Sequence, residues 1–303
     1  MKVFRLALFV FLLSLSACGW IWRGDTKPGS GLFGGDGARR PKVGLVLGGG
    51  AARGFAHVGV IRVLEREKIP IDLIVGTSVG SLVGAIYGDK KDSFELEWVA
   101  FSLEERDVFD YTFISPTQGF VRGERLEDFV SKKLSAKEIQ QLKLPFAAVA
   151  TDIQNGEVVV LQSGSIARAV RASSAIPGIF IPFRYQGRLL VDGGVLNNAP
   201  VDVARKMGAE VVIAVDLAGG KKAAQVNNIF DTMLQSLYLM AQESTEARLK
   251  QADVVIRPEV SQVGLLEFNR KKELLTLGIQ AAEQALPVIR AKLGLGPNVS
   301  AGR

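Results

Sequence analysis

A serine framed by two glycines, Gly76-Thr77-Ser78-Val79-Gly80, carries the clearest chemistry in this chain. G-x-S-x-G marks a turn from strand into helix so tight that only glycine fits on either side of the serine. The hydroxyl is exposed at a helix N-terminus, where the dipole favours developing negative charge. Such a serine attacks acyl carbonyls once a base takes its proton. The single histidine, His57, precedes Ser78, whereas α/β-hydrolases run serine, acid, histidine. That triad is excluded, and the base is left to a carboxylate or a lysine. Asp192 leads: it ends an apolar run, and Gly193-Gly194 behind it let backbone and substrate approach. Burial is expected to raise its pKa from ~3.9. His57 is expected to pack or hydrogen-bond between helix and loop, outside the chemistry.

The third element is Gly48-Gly49-Gly50-Ala51-Ala52-Arg53-Gly54. Consecutive glycine amides can point inward and hold an oxyanion. A dinucleotide fingerprint is the obvious rival, and it requires an acidic residue closing the second strand to hold a ribose. That strand closes instead on Gly76-Thr77-Ser78, and Asp72 lies at its other end. No nucleotide is expected.

These groups need a frame, and the hydrophobic pattern supplies one. Val43 to Leu47 is a buried-strand run ended by three glycines; from Phe55 onward apolar residues recur at helical spacing until Pro70. Leu73 to Val75 is a second strand, followed by a helix with Val79, Leu82, Val83 and Ile86 on one face. Strand-helix alternation with short connections means parallel strands under crossover helices. Residues from Phe94 to Leu144 read as helical and irregular, covering the working edge of the sheet. Phe146 to Ile153 and Val158 to Gln162 form a hairpin across Asn155-Gly156. A short helix around Ile166 to Ala172 and a Pro-punctuated stretch from Pro177 to Pro182 follow. Leu189 to Val191, Val211 to Leu217 and Val254 to Arg257 read as strands, Val226 to Lys250 as a long helix, and Lys271 to Leu293 as a helix interrupted near Pro287. The class is α/β with one mostly parallel sheet.

Together the glycine segment with its arginine, G-x-S-x-G and Asp-Gly-Gly resemble the patatin-like phospholipase family. Arg171-Ala172-Ser173-Ser174-Ala175-Ile176-Pro177 also resembles a recurrent block of its bacterial members. The resemblance spans most of Lys42 to Leu217. It implies a three-layer sandwich, with helices flanking the sheet on both sides, and acyl-ester hydrolysis on lipids by a Ser–Asp dyad. Ser78 would be the nucleophile and Asp192 the base. Gly49 and Gly50 would be the oxyanion donors, with Arg53 orienting that loop or aiding phosphate binding. One position departs from the pattern: Ala51 stands where the family has glycine, and alanine keeps the N–H but resists φ > 0. No metal or other cofactor is implied. Alternatives are a general carboxylesterase or thioesterase, and a non-catalytic envelope lipoprotein acting as a binding module.

The N-terminus reads as an address. Lys2 and Arg5 precede the apolar run Leu6 to Leu13, which is shorter than the ~20 residues of a spanning helix. Leu15-Ser16-Ala17-Cys18 resembles the lipobox of bacterial lipoproteins, implying cleavage before Cys18 and lipid on that residue, the only cysteine. Several acyl chains on one residue hold a protein at a bilayer where one would not. Gly19 in place of aspartate favours the outer membrane, facing the periplasm. The expected plan is a signal over 1–17, a lipidated Gly-rich tether over 18–41, the hydrolase domain over 42–295 and a tail over 296–303. A composition of 48 % apolar and 22 % charged residues suits a core that needs no disulfide or metal. The single cysteine and single histidine exclude an ordinary Cys/His zinc site. The net charge of +6, which falls to +4 without Lys2 and Arg5, is a mildly basic solvated surface with no nucleic-acid pattern. The expected partner is membrane lipid.

Overall fold

The computed structural model describes residues 39–110, 120–217 and 229–296. The expected signal over 1–17, Cys18, most of the expected tether and the expected tail after residue 296 lie outside them, as does the expected helix start at Val226. Among the described residues, no helix is long and apolar enough to cross a membrane.

The strands are β1 (Val43–Leu47), β2 (Leu73–Thr77), β3 (Phe146–Asp152), β4 (Glu157–Leu161), β5 (Phe183–Tyr185), β6 (Arg188–Asp192), β7 (Val211–Val215) and β8 (Val254–Ile256). They form one eight-stranded sheet in the order β5-β6-β3-β2-β1-β7-β8, with β4 also on β3. β3, β2, β1, β7 and β8 run parallel to one another; β4 and β6 pair antiparallel to β3, and β5 antiparallel to β6. The helices are α1 (Phe55–Arg66), α2 (Val79–Lys90), α3 (Ser93–Ser102), α4 (Glu105–Val108), α5 (Glu124–Lys133), α6 (Ile166–Ser173), α7 (Val201–Lys206), α8 (Ile229–Leu249) and α9 (Lys271–Lys292).

The period of two along a strand assigns the layers. Val43, Leu45 and Leu47 of β1 join one cluster with Ala56, Val60 and Val63 of α1 and Val83 and Ile86 of α2. Val46 points the other way, into a cluster with Val75, Val149, Val212, Val201 of α7 and Leu249 of α8. Helices therefore cover both faces, the three layers that the resemblance implies. From β1 the sheet grows through β2 on one side and β7 on the other. A crevice opens at the carboxyl ends of parallel strands where the order reverses in this way.

Two elements differ from the sequence reading. The helix read as interrupted near Pro287 runs unbroken through it as α9. A mid-helix proline removes one hydrogen bond and costs about 3 kcal/mol. Here α9 packs so closely on α1 that a Cβ on Gly59 would lie 2.1 Å from Leu275 O, and one on Gly278 2.0 Å from Ala56 O. Burial along that contact holds both halves of the helix in line. The stretch after Pro182 also yields β5, a three-residue strand hairpinned to β6 across Gln186 and Gly187. A run of three with Arg184 in the middle has too little apolar period to announce itself.

Candidate active site

Ser78 and Asp192 are placed by strand register. β4 fills one edge of β3 along Ala148–Asp152, so β2 and β6 share the other edge. β2 ascends that edge until Thr77 stands opposite Val149. β6 descends it from the far end and stops with Asp192 opposite Ala150. The two strands meet head to head, and the residues at their tips are the serine and the aspartate.

The elbow has the expected strain. Ser78 holds φ 55° and ψ −129°, a left-handed conformation that non-glycine residues avoid, at the N-cap of α2. The flanking glycines are required for space: a Cβ on Gly76 would lie 2.4 Å from Gly80 O, and one on Gly80 2.1 Å from Leu47 O. Ser78 N–H donates to Ser173 Oγ at 2.9 Å, and Ser173 Oγ–H donates to Val149 O at 2.6 Å. Asp192 N–H donates to Ala175 O at 2.8 Å. The block read at Arg171–Pro177 thus braces the backbone of both reactive residues.

Asp192 is 6 % exposed. Its Oδ1 accepts from Gly194 N–H at 2.7 Å, while Oδ2 is buried without a well-formed hydrogen bond among the described residues. Burial pushes its pKa up to about 6, against the opposing pull of the Ser78 hydroxyl and the Gly194 N–H. A carboxylate with an unspent oxygen, beside a strained serine, can take the hydroxyl proton near neutral pH.

The glycine loop lies against Ser78: a Cβ on Gly49 would meet Ser78 Cβ at 3.1 Å. Its peptides are pinned one by one. His57 Nε2 donates to Gly48 O at 2.8 Å, and Gly49 N–H donates to Asn198 Oδ1 at 3.2 Å. Tyr238 Oη donates to Gly49 O at 2.9 Å, and Arg53 N–H to Gly50 O at 3.0 Å. Among the described residues, the N–H groups of Gly50 and Ala51 find no acceptor. Ala51, the departure from glycine, does take φ 47°. His57 is fully buried, its Nδ1 has no partner, and burial lowers its pKa to about 4, so it is neutral at physiological pH.

Arg53 is spent on backbone carbonyls. It is buried and donates to the carbonyls of Val263 (2.9 Å), Leu217 (3.4 Å) and Ser261 (3.5 Å), tying together the segments that follow β7 and β8. Beside the loop and the elbow lies a cavity lined wholly by apolar residues, among them Ala51, Phe55, Val79, Leu82, Ile86 and Phe268. Sequence reasoning missed Ser173, Asn198 and Tyr238. Ser173 sits in a block already noticed by resemblance; Asn197-Asn198, close behind Asp192-Gly193-Gly194, was a signal available to find Asn198.

Comparison with known proteins agrees with this frame. The patatin-like phospholipase family model matches residues 45–205. The lysophospholipase NTE1 of Scheffersomyces stipitis is 31 % identical over 274 residues, covering 80 % of this chain and 18 % of that protein. Human patatin-like phospholipase domain-containing protein 6 is 38 % identical over 183 residues, covering 58 % of this chain and 13 % of that one. The chain thus spans less than a fifth of the length of these relatives. In fold, VipD from Legionella pneumophila superposes with a TM-score of 0.57 at 16 % identity, over 84 % of this chain and 67 % of that one. This chain belongs to the patatin-like phospholipase family.

Proposed function

We propose that this protein hydrolyses acyl esters of membrane lipids through a Ser78–Asp192 dyad, acting as a phospholipase A or lysophospholipase. The single observation that carries the reading is the meeting of β2 and β6 on one edge of β3, which sets a strained serine beside a buried carboxylate. Asp192 takes the Ser78 proton as the hydroxyl attacks the acyl carbonyl. The oxyanion is held by the glycine-loop amides, of which Gly50 N–H and Ala51 N–H are uncommitted; Gly49 positions the loop through Asn198. Asp192 returns the proton to the leaving alcohol, and water then releases the acyl group from Ser78. A well-placed oxyanion donor is worth about 3 kcal/mol of barrier, which offsets the weak basicity of a carboxylate. Arg53 acts as the organiser of the loop.

The apolar side chains beside the elbow, among them Val79, Leu82 and Phe268, suit a lipid over a small ester, although the cavity they enclose is about 20 Å³ and an acyl chain would enter only as they part. A lipid anchor on Cys18 in a bacterial envelope would hold the enzyme at its substrate, raising the effective concentration. Release of fatty acid from long-chain lysophospholipid, compared with butyryl ester hydrolysis, tests the reading. Long-chain preference that is lost in Ser78→Ala is expected. Equal rates on both would favour the general esterase, and no hydrolysis of either would favour the binding module.

A further inference from the structure

Tyr238, in α8, lies 160 residues after Ser78 in the sequence, yet its hydroxyl reaches the carbonyl of Gly49 at 2.9 Å. In a trans peptide the C=O of one residue and the N–H of the next point in opposite directions. The proton that Tyr238 gives to Gly49 O therefore decides where Gly50 N–H points: away from the tyrosine, with no acceptor in the protein among the described residues. Glycine at 49 and 50 would otherwise leave that peptide free to flip. The preceding peptide is held from both ends, by His57 at Gly48 O and Asn198 at Gly49 N–H. The peptide after it is fixed by Arg53 N–H on Gly50 O. The Gly49–Gly50 peptide is likewise fixed from one side, by Tyr238, and left open on the other. Tyr238 also stays protonated: burial pushes its pKa well above the usual phenol value, helped by the charges of Asp192 and Asp216 and opposed by Arg53. It remains a donor across the working pH range.

We infer that Tyr238 is a positioning residue of the oxyanion site, its hydroxyl orienting the Gly49–Gly50 peptide so that Gly50 N–H meets the developing oxyanion. The inference rests on the Ser78 acyl-hydrolase reading and adds to it a group that never touches substrate. The interaction is felt only when negative charge grows on oxygen, so its loss lowers kcat and leaves KM alone.

The test uses p-nitrophenyl butyrate and its thiono analogue, whose sulfur is a poor hydrogen-bond acceptor and gains little from the donor. Wild type, Ser78→Ala and Tyr238→Phe are compared, with circular-dichroism melts of each. In Tyr238→Phe, kcat on the oxygen ester is expected to fall about tenfold, below the 10²–10³ of deleting a donor outright. KM stays within about twofold, and the oxygen-to-thiono rate ratio shrinks by a similar factor of about ten. Equal losses on both esters would overturn the inference, because a loosened fold slows both alike. So would an unfolded Tyr238→Phe, which would make the hydroxyl structural. Activity that survives in Ser78→Ala, or is absent from wild type, would overturn the hydrolase reading and this inference with it.

Discussion

Ser173 Oγ accepts the backbone N–H of Ser78 at 2.9 Å while its own proton goes to Val149 O, so one hydroxyl links the turn at Ser78 to the strand beneath it. The link explains how a left-handed serine is kept in place. A strained conformation persists only where its surroundings over-determine it. Ser173→Ala leaves a buried donor and a buried acceptor unpaired, and is expected to lower stability by about 1–3 kcal/mol. Activity should fall about tenfold in kcat at unchanged KM, as geometry loosens at a reacting atom. Urea unfolding and steady-state kinetics measure the two effects.

Asp192 gives a pH signature in both stability and rate. Its pKa is raised from 3.8 in the unfolded chain to about 6 in the fold, chiefly by burial. The folded state holds this proton more tightly, so the contribution is full below about pH 4 and is lost as pH rises through about 6. Above that, the buried charge costs about 3 kcal/mol by the size of the shift. Asp192→Asn should accordingly be more stable than wild type at pH 8 by up to that amount, with the advantage vanishing below about pH 4. In wild type, kcat/KM should rise with pH to a plateau above about 6, as the carboxylate forms. Thermal melts and rates over pH 3.5–8 (about the span in which a carboxylate of this pKa changes state) read both.

His57 is structural on this account. Its side chain is fully buried and donates to Gly48 O. His57→Ala removes that bond and opens a cavity, and should cost about 2–4 kcal/mol in unfolding free energy. Ester hydrolysis should drop by about tenfold or less, against the ~10⁴-fold or greater loss expected of a triad histidine. A loss of that larger size with the fold intact would reinstate His57 in the chemistry.

How far the residues announced all this depended on whether their meaning is local. Ser78, the glycine loop and the aspartate at the end of β6 were legible because each needs a short, fixed spacing of small residues. The parallel core was legible from apolar runs broken by glycine. The pairing of Ser78 with Asp192 came from the family resemblance and not from local pattern: in the fold it depends on β2 and β6 sharing an edge of β3, a register between strands 115 residues apart in the sequence. Asn198 and Tyr238 act on backbone groups, so their partners leave no mark in side-chain types. The unbroken α9 was missed because proline reads as a stop unless a close partner such as α1 compensates.

The central claim is that Ser78 is an activated nucleophile with Asp192 as its base. Purified protein lacking residues 1–18, treated with a fluorophosphonate and analysed by intact mass and peptide mapping, is the first measurement to make. The account predicts a single phosphonyl adduct on Ser78, absent from Ser78→Ala and formed at least ~100-fold more slowly in Asp192→Asn. An adduct on another residue, or labelling of folded Asp192→Asn at the wild-type rate, would contradict it.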